Sequence, residues 1–251
     1  MKNRDIRIGG LAWALATVLA FGSCAPQRPA TGKQEAGFVD MFANNSLENW
    51  EGDMRYWRME SGVLIGEISP QLALAENTFL IWKGEVADFE WVADFKISAE
   101  GNSGINYRNE RVEGLPYALR GYQADIDGQN AYTGQNYEER RRTTIAYRGE
   151  KVILPTSEEG KVEHNAWTLR LSDGTLGSSD SLRNLIHVQD WNELRLVVKG
   201  NRLQHYVNGV LMSDVTDNDR INRRFSGHLG IQLHVGPPMQ VAFKRVRIKK
   251  L

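Results

Sequence analysis

From Phe38 to the C-terminus, apolar and polar side chains alternate with a period of two, and no stretch shows a sustained 3.6-residue repeat. The clearest run is 89–97, where Phe89, Trp91, Ala93, Phe95 and Ile97 share one face and Glu90, Val92, Asp94 and Lys96 share the other. Successive side chains of extended backbone point to opposite faces, so this spacing predicts a strand with one strongly apolar face. Similar runs predict strands at 62–66, 79–82, 104–108, 121–127, 143–148, 193–199, 202–208, 228–235 and 240–248, separated by Gly, Asn, Asp and Pro. A chain of this kind is all-β, and its strand count implies a sandwich of two packed antiparallel sheets.

Turn chemistry refines the pattern. Gly200-Asn201 and Asn208-Gly209 tolerate positive φ and stand where tight hairpins are needed. In the last strand Val241 and Phe243 give way to Val246 and Ile248, a slip of one position that predicts a β-bulge. Segments 109–120 and 149–190 lack steady alternation and are expected as loops over the sandwich, where function often resides.

The N-terminus is different. Lys2, Arg4 and Arg7 precede an apolar run from Leu11 to Phe21, and Gly22, Ser23 and Cys24 follow, which reads as an export signal over 1–23. The run is short for a membrane span. Cys24, the only cysteine, stands where a lipoprotein signal is cut and acylated, although Phe21 departs from the usual Leu, and simple secretion is the alternative. Residues 24–37 then form a flexible tether, and 38–251 a single domain. The expected location is the bacterial cell envelope, through an N-terminal lipid anchor in a membrane.

Charge excludes some partners. The whole chain has 31 basic and 31 acidic residues, so no basic footprint for nucleic acid is present. With Cys24 acylated, no thiol is left for a disulfide, a zinc cluster or a nucleophile.

Strand parity groups the polar residues that could carry chemistry. Asn106 and Arg108 share one face of 104–108; Gln123, Asp125 and Asp127 share one face of 121–127; Gln232 and His234 share one face of 228–235. If these strands lie in one sheet, the seven side chains make a patch of donors, acceptors and one imidazole suited to a sugar, with Trp82, Tyr132, Tyr137 and Trp167 as aromatics for stacking. The alternative is an ordinary solvated sheet face. Asp125 and Asp127 would lie about 7 Å apart on one strand and reach a sugar from the same side, which argues against a conventional two-carboxylate glycosidase. No Ser-His-Asp set, phosphate loop or HExxH pattern is present, and no cofactor is expected. A divalent metal on Asp125, Asp127 or His234 has no ligand spacing to specify it.

The stretches NSGINYR (102–108), GYQADID (121–127), YTGQNYEERRRT (132–143), WNELRLVVKGNRLQHYVNG (191–209) and LGIQLHVGPPMQVAFKRVRIKKL (229–251) follow in this order. Together with FVDMFANNSLENWEG (38–52) and WRMESGVLIGE (57–67), they resemble the 3-keto-disaccharide hydrolase family. The resemblance implies a concanavalin A-like β-sandwich, or jelly roll, acting on sugars already oxidised to a ketone at C3. Laminarinase-like glycosidases of the same sandwich type carry Glu-x-Asp-x-x-Glu on their catalytic strand, whereas Gln123-Ala124-Asp125-Ile126-Asp127-Gly128 stands here, and an amide cannot act as their nucleophile.

What the family implies instead is β-elimination, with or without later addition of water. That route needs a base near C2, a group that stabilises the enolate oxygen, and an acid for the departing oxygen. The expected assignment makes His234 the base with Asp125 as its rival, and Arg108 the group that polarises the ketone together with Gln123 and Asn106. Asp127, Gln232 and Tyr137 complete the substrate patch, and Glu139 and Arg142 are loop candidates for closing it. A non-catalytic, lectin-like surface lipoprotein is the alternative function, because one fold hosts both.

Overall fold

The alternation in the sequence becomes two stacked sheets in the computed structural model, which describes residues 36–251. The predicted signal 1–23, the lipidation site Cys24 and nearly all of the tether lie outside the described residues. The strands are β1 (Val39–Asp40), β2 (Trp50–Glu51), β3 (Trp57–Glu60), β4 (Val63–Ile68), β5 (Thr78–Val86), β6 (Phe89–Ile97), β7 (Asn102–Arg111), β8 (Leu119–Asp127) and β9 (Asn136–Glu139). They continue as β10 (Thr143–Ala146), β11 (Glu150–Leu154), β12 (Leu171–Thr175), β13 (Asn192–Lys199), β14 (Arg202–Val207), β15 (Val210–Asp217), β16 (Gly227–Leu233) and β17 (Met239–Lys250). A five-residue helix, α1 (Ser179–Arg183), is capped by Ser178. Among the described residues no helix is long and apolar enough to cross a membrane.

One sheet has the order β12-β11-β15-β14-β13-β6-β17-β4-β3, with β1 added on β17, and the other has the order β10-β9-β8-β7-β16-β5-β2. Pairing is antiparallel throughout except between β11 and β15. The core between them takes Trp91, Phe95, Leu196 and Phe243 from the first sheet and Leu80, Tyr107, Ile126 and Ile231 from the second, all essentially free of solvent contact. Removing that much apolar surface from water is what holds the sheets together. This is the predicted all-β sandwich.

Several local expectations hold. Strand 89–97 has the predicted bounds. Gly200 has φ +56°, and Asn208 and Gly209 have φ +51° and +78°, closing the two hairpins of β13–β14 and β14–β15. The bulge in β17 falls between Lys244 and Arg247, with Arg245 at φ +53°.

The two expected loops are corrected. Residues 109–111 and 119–120 extend β7 and β8, and 149–190 contains β11, β12 and α1. The inward positions of β9 are Asn136 and Glu138, and the whole of β12 is exposed, so neither strand carries the apolar alternation that marks the others. Strands β1, β2, β3 and β15 also lie outside the predicted set.

Candidate active site

The outward face of the seven-stranded sheet carries the site. Along β8, Tyr122, Ala124 and Ile126 point into the core, which turns Gln123, Asp125 and Asp127 outward. The neighbouring β9 turns Tyr137 and Glu139 the same way, and His234 follows the end of β16. Together with Asn102, Tyr132, Gln135 and Thr144, these side chains line a pocket of about 220 Å³.

Asp125 forms the buried centre of a network. Its Oδ1 accepts the Gln123 side-chain amide at 2.6 Å and its Oδ2 accepts the Gln135 amide at 2.5 Å. Gln123 is held in turn by Gln232, whose Nε2 donates to Gln123 Oε1 at 3.1 Å. Burial pushes the Asp125 carboxyl up to about 7; the two amides pull it down, and the charges of Glu139 and Asp127 push it further up.

Glu139 accepts from Asn77 Nδ2 at 3.2 Å and lies 3.5 Å from Gln232 Nε2. Burial raises its carboxyl too, and the hydrogen bond from Asn77 and the positive charge of Arg140 partly offset that rise. Burial likewise pushes the Tyr137 hydroxyl up to about 12, so it keeps its proton and can donate. His234 is half-buried, with Nδ1 2.7 Å from the carbonyl of Val235. A carbonyl can only accept, so Nδ1 carries a hydrogen and Nε2 is the ring nitrogen available to act as a base.

The pocket thus gathers Gln123, Asp125, Tyr137, Glu139 and His234, five of the residues picked from the sequence, while Gln232 stands behind them as a fully buried support. The other four are corrected. Arg108 lies at a bulge between Tyr107 and Glu110 with φ +51°, which breaks the parity that the sequence reading assumed. Its guanidinium is fully buried and donates to the carbonyls of Ala87, Gly200 and Arg224 and to Asp88, so it clamps turns of the sandwich instead of reaching sugar.

Asn106 shares a face with Gln123 but is covered completely, and its amide donates to Asn109 Oδ1 at 3.1 Å. Asp127 is spent on the following loop, accepting from the backbone N–H groups of Ala131, Tyr132 and Thr133 at 2.8 to 2.9 Å. Arg142 points into the protein and is paired with Glu138, with Asp217 at 2.7 Å and with Asp219 at 3.5 Å. Of the aromatics, Tyr132 and Tyr137 line the pocket, whereas Trp82 packs against the core and Trp167 is exposed elsewhere.

Asn102, Gln135, Thr144 and Asn77 were missed. Gln135 and Asn136 stand beside Tyr137 and Glu139 in a short polar run, where the absence of apolar alternation hid the strand and with it the facing of its side chains. Among the described residues no cluster of three or more His, Cys, Asp or Glu side chains forms a metal site.

Comparison with known proteins adds a lineage. Residues 37–249 match the family described as the 3-keto-alpha-glucoside-1,2-lyase-like domain. Among curated proteins, no sequence matches. Among solved structures, one candidate glycosyl hydrolase from Parabacteroides distasonis has 15% identity and a TM-score of 0.54, covering 85% of this chain and 99% of that one. A second from the same organism has 17% identity and a TM-score of 0.53, covering 86% and 94%. A Bacillus subtilis protein of unknown function with a galectin-like fold has 11% identity and a TM-score of 0.53, covering 85% and 94%. At these identities the likeness concerns the fold, a jelly-roll sandwich.

Proposed function

The chain belongs to the family of 3-keto-alpha-glucoside-1,2-lyase-like domains, and from that premise we propose that it cleaves the glycosidic bond of 3-keto-glycosides in the pocket around Asp125. Membership makes it a carbohydrate-active protein. The observation that carries the finer reading is the juxtaposition, in one pocket, of an imidazole with a free basic nitrogen and two buried carboxyls held toward their protonated forms. Groups whose surroundings separate their proton affinities divide naturally into base and acid.

In the proposed reaction, Nε2 of His234 removes the proton from C2, which the C3 ketone has made acidic. Tyr137, protonated at neutral pH, and the amide of Asn102 are the donors available to the enolate oxygen. The electron pair released at C2 forms the C1–C2 double bond and expels the oxygen on C1. A protonated carboxyl, Asp125 with Glu139 as its neighbour, gives that oxygen its proton. The product is an unsaturated keto sugar, and addition of water to C1 completes net hydrolysis. The roles expected of Arg108 thus fall to uncharged donors.

The first experiment incubates the purified protein with a 3-keto-glucoside and with the unoxidised parent sugar. Cleavage of the keto form alone is expected, and equal rates on both would remove the keto requirement. Binding of both sugars without turnover would instead make the protein a lectin. Leaving groups then separate the roles. His234→Gln should lose activity on every substrate, whereas Asp125→Asn should lose it on alkyl glycosides and keep it on nitrophenyl glycosides, whose departing oxygen needs no proton. Loss on both classes in Asp125→Asn would reject the acid assignment. The same proposal includes export and lipid attachment at Cys24; membrane fractionation should find Cys24→Ala released into the soluble fraction.

A further inference from the structure

Between the sheets, the imidazole of His205 on β14 is completely buried. Its Nε2 lies 2.8 Å from the hydroxyl of Tyr107, and its Nδ1 lies 3.2 Å from the carbonyl oxygen of Gln135. Asn136 donates its amide to the same Tyr107 hydroxyl at 3.2 Å. Burial holds the ring neutral, depressing its pKa to about 4, so it has one N–H to give. The carbonyl can only accept, which puts that hydrogen on Nδ1 and leaves Nε2 to accept from Tyr107. Every hydrogen in this chain therefore has one assignment.

The chain ends at Gln135, a residue of the pocket wall, and at Asn136, the inward-facing residue that follows it. The Gln135 carbonyl is held from two sides, by His205 and by the backbone N–H of Asp125 at 3.3 Å, while its side-chain amide is one of the two donors on the Asp125 carboxyl. A polar triplet buried between the sheets is costly unless its hydrogen bonds fix something in place. We propose that His205 is a positioning residue: from the opposite sheet it fixes the Gln135–Asn136 backbone and so aims the Gln135 amide at Asp125. Its significance for turnover rests on Asp125 being the proton donor proposed above. Its structural part can be read without any substrate.

The test follows the Asp125 carboxyl by infrared or NMR titration in the wild type, in Gln135→Met and in His205→Phe. The groups that face this carboxyl are Asp127 on its own strand, Tyr137 and Glu139 on β9 and His234 beyond β16, and all are retained in these variants. A donor on a carboxylate favours its charged form, so losing it should raise the midpoint by about one pH unit in Gln135→Met, with a rise in the same direction in His205→Phe. Leaving Tyr107 unpaired could itself lower stability, so the double variant His205→Phe/Tyr107→Phe, which removes both polar groups, serves as the control. It should regain melting temperature and keep the raised midpoint. A His205→Phe midpoint equal to that of the wild type, or one restored along with stability in the double variant, would overturn the proposal. If the midpoint moves while the pH profile of turnover does not, positioning stands and the donor role of Asp125 falls.

Discussion

Gly104 and Gln123 compete for one space. Gly104 pairs with Asp125 across β7 and β8, and a β-carbon placed on it would stand 2.7 Å from Cγ of Gln123. The pocket floor keeps its amide over Asp125 because its cross-strand neighbour has no side chain. Gly104→Ala should therefore fold, since Gln123 has a flexible end that can yield, but it should displace a donor from Asp125. Losing a hydrogen bond to a charged group corresponds to about tenfold in rate. We expect that loss in kcat with a melting temperature close to that of the wild type, and an unchanged kcat would contradict it.

The Asp125 carboxyl also makes stability depend on pH in a defined sense. Its folded value of about 7 lies above its ordinary value of 3.8, so the folded chain holds the proton more tightly than the unfolded one. The contribution is intact below about pH 4 and is lost as pH rises through about 7. Asp125→Asn carries no charge at any pH, so the melting temperature of this variant relative to wild type should rise between about pH 5 and about pH 8.5. A difference that stays constant across that range would count against a buried, proton-retaining carboxyl.

Arg108→Ala should separate the clamp from the site. Three backbone carbonyls lose their charged donor, and denaturant titration should show a loss of about 2–4 kcal/mol. At a temperature where the variant remains folded, its KM should match the wild type. A raised KM with unchanged stability would return this arginine to the substrate.

Arg142 offers a second contrast, because Glu138, Asp217 and Asp219 all converge on it inside the protein. Arg142→Met leaves buried carboxylates without their cation, and a cost of about 3–5 kcal/mol is expected by chemical denaturation. Lysine, a point charge that cannot form the planar fork, should recover only part of it.

The strands with an apolar inner face, such as 89–97 and 121–127, were legible because hydrophobic alternation reports burial directly. So were Gln123, Asp125 and His234, whose facing follows from parity alone. Parity failed at Arg108, where a positive φ at a bulge rotates the side chain into the protein; at Asp127 it held, but the carboxylate caps its own loop. It was silent on β9, since Glu138 faces inward against Arg142 and gives that strand a polar inner side. Gln135 and the His205 chain depend on contacts between distant segments, which no local pattern in the sequence encodes.

The order of strands in the pocket-bearing sheet sets a condition on synthesis. Strand β16, which supplies Gln232 and leads into His234, lies between β5 and β7, although it follows them by more than a hundred residues. Until it is made, a nascent chain has two unpaired edges facing each other across a gap, open to mispairing with other chains. A product ending before Gly227 would therefore lack the middle of the sheet, and release of the C-terminal segment should be the slow, long-range event that completes assembly.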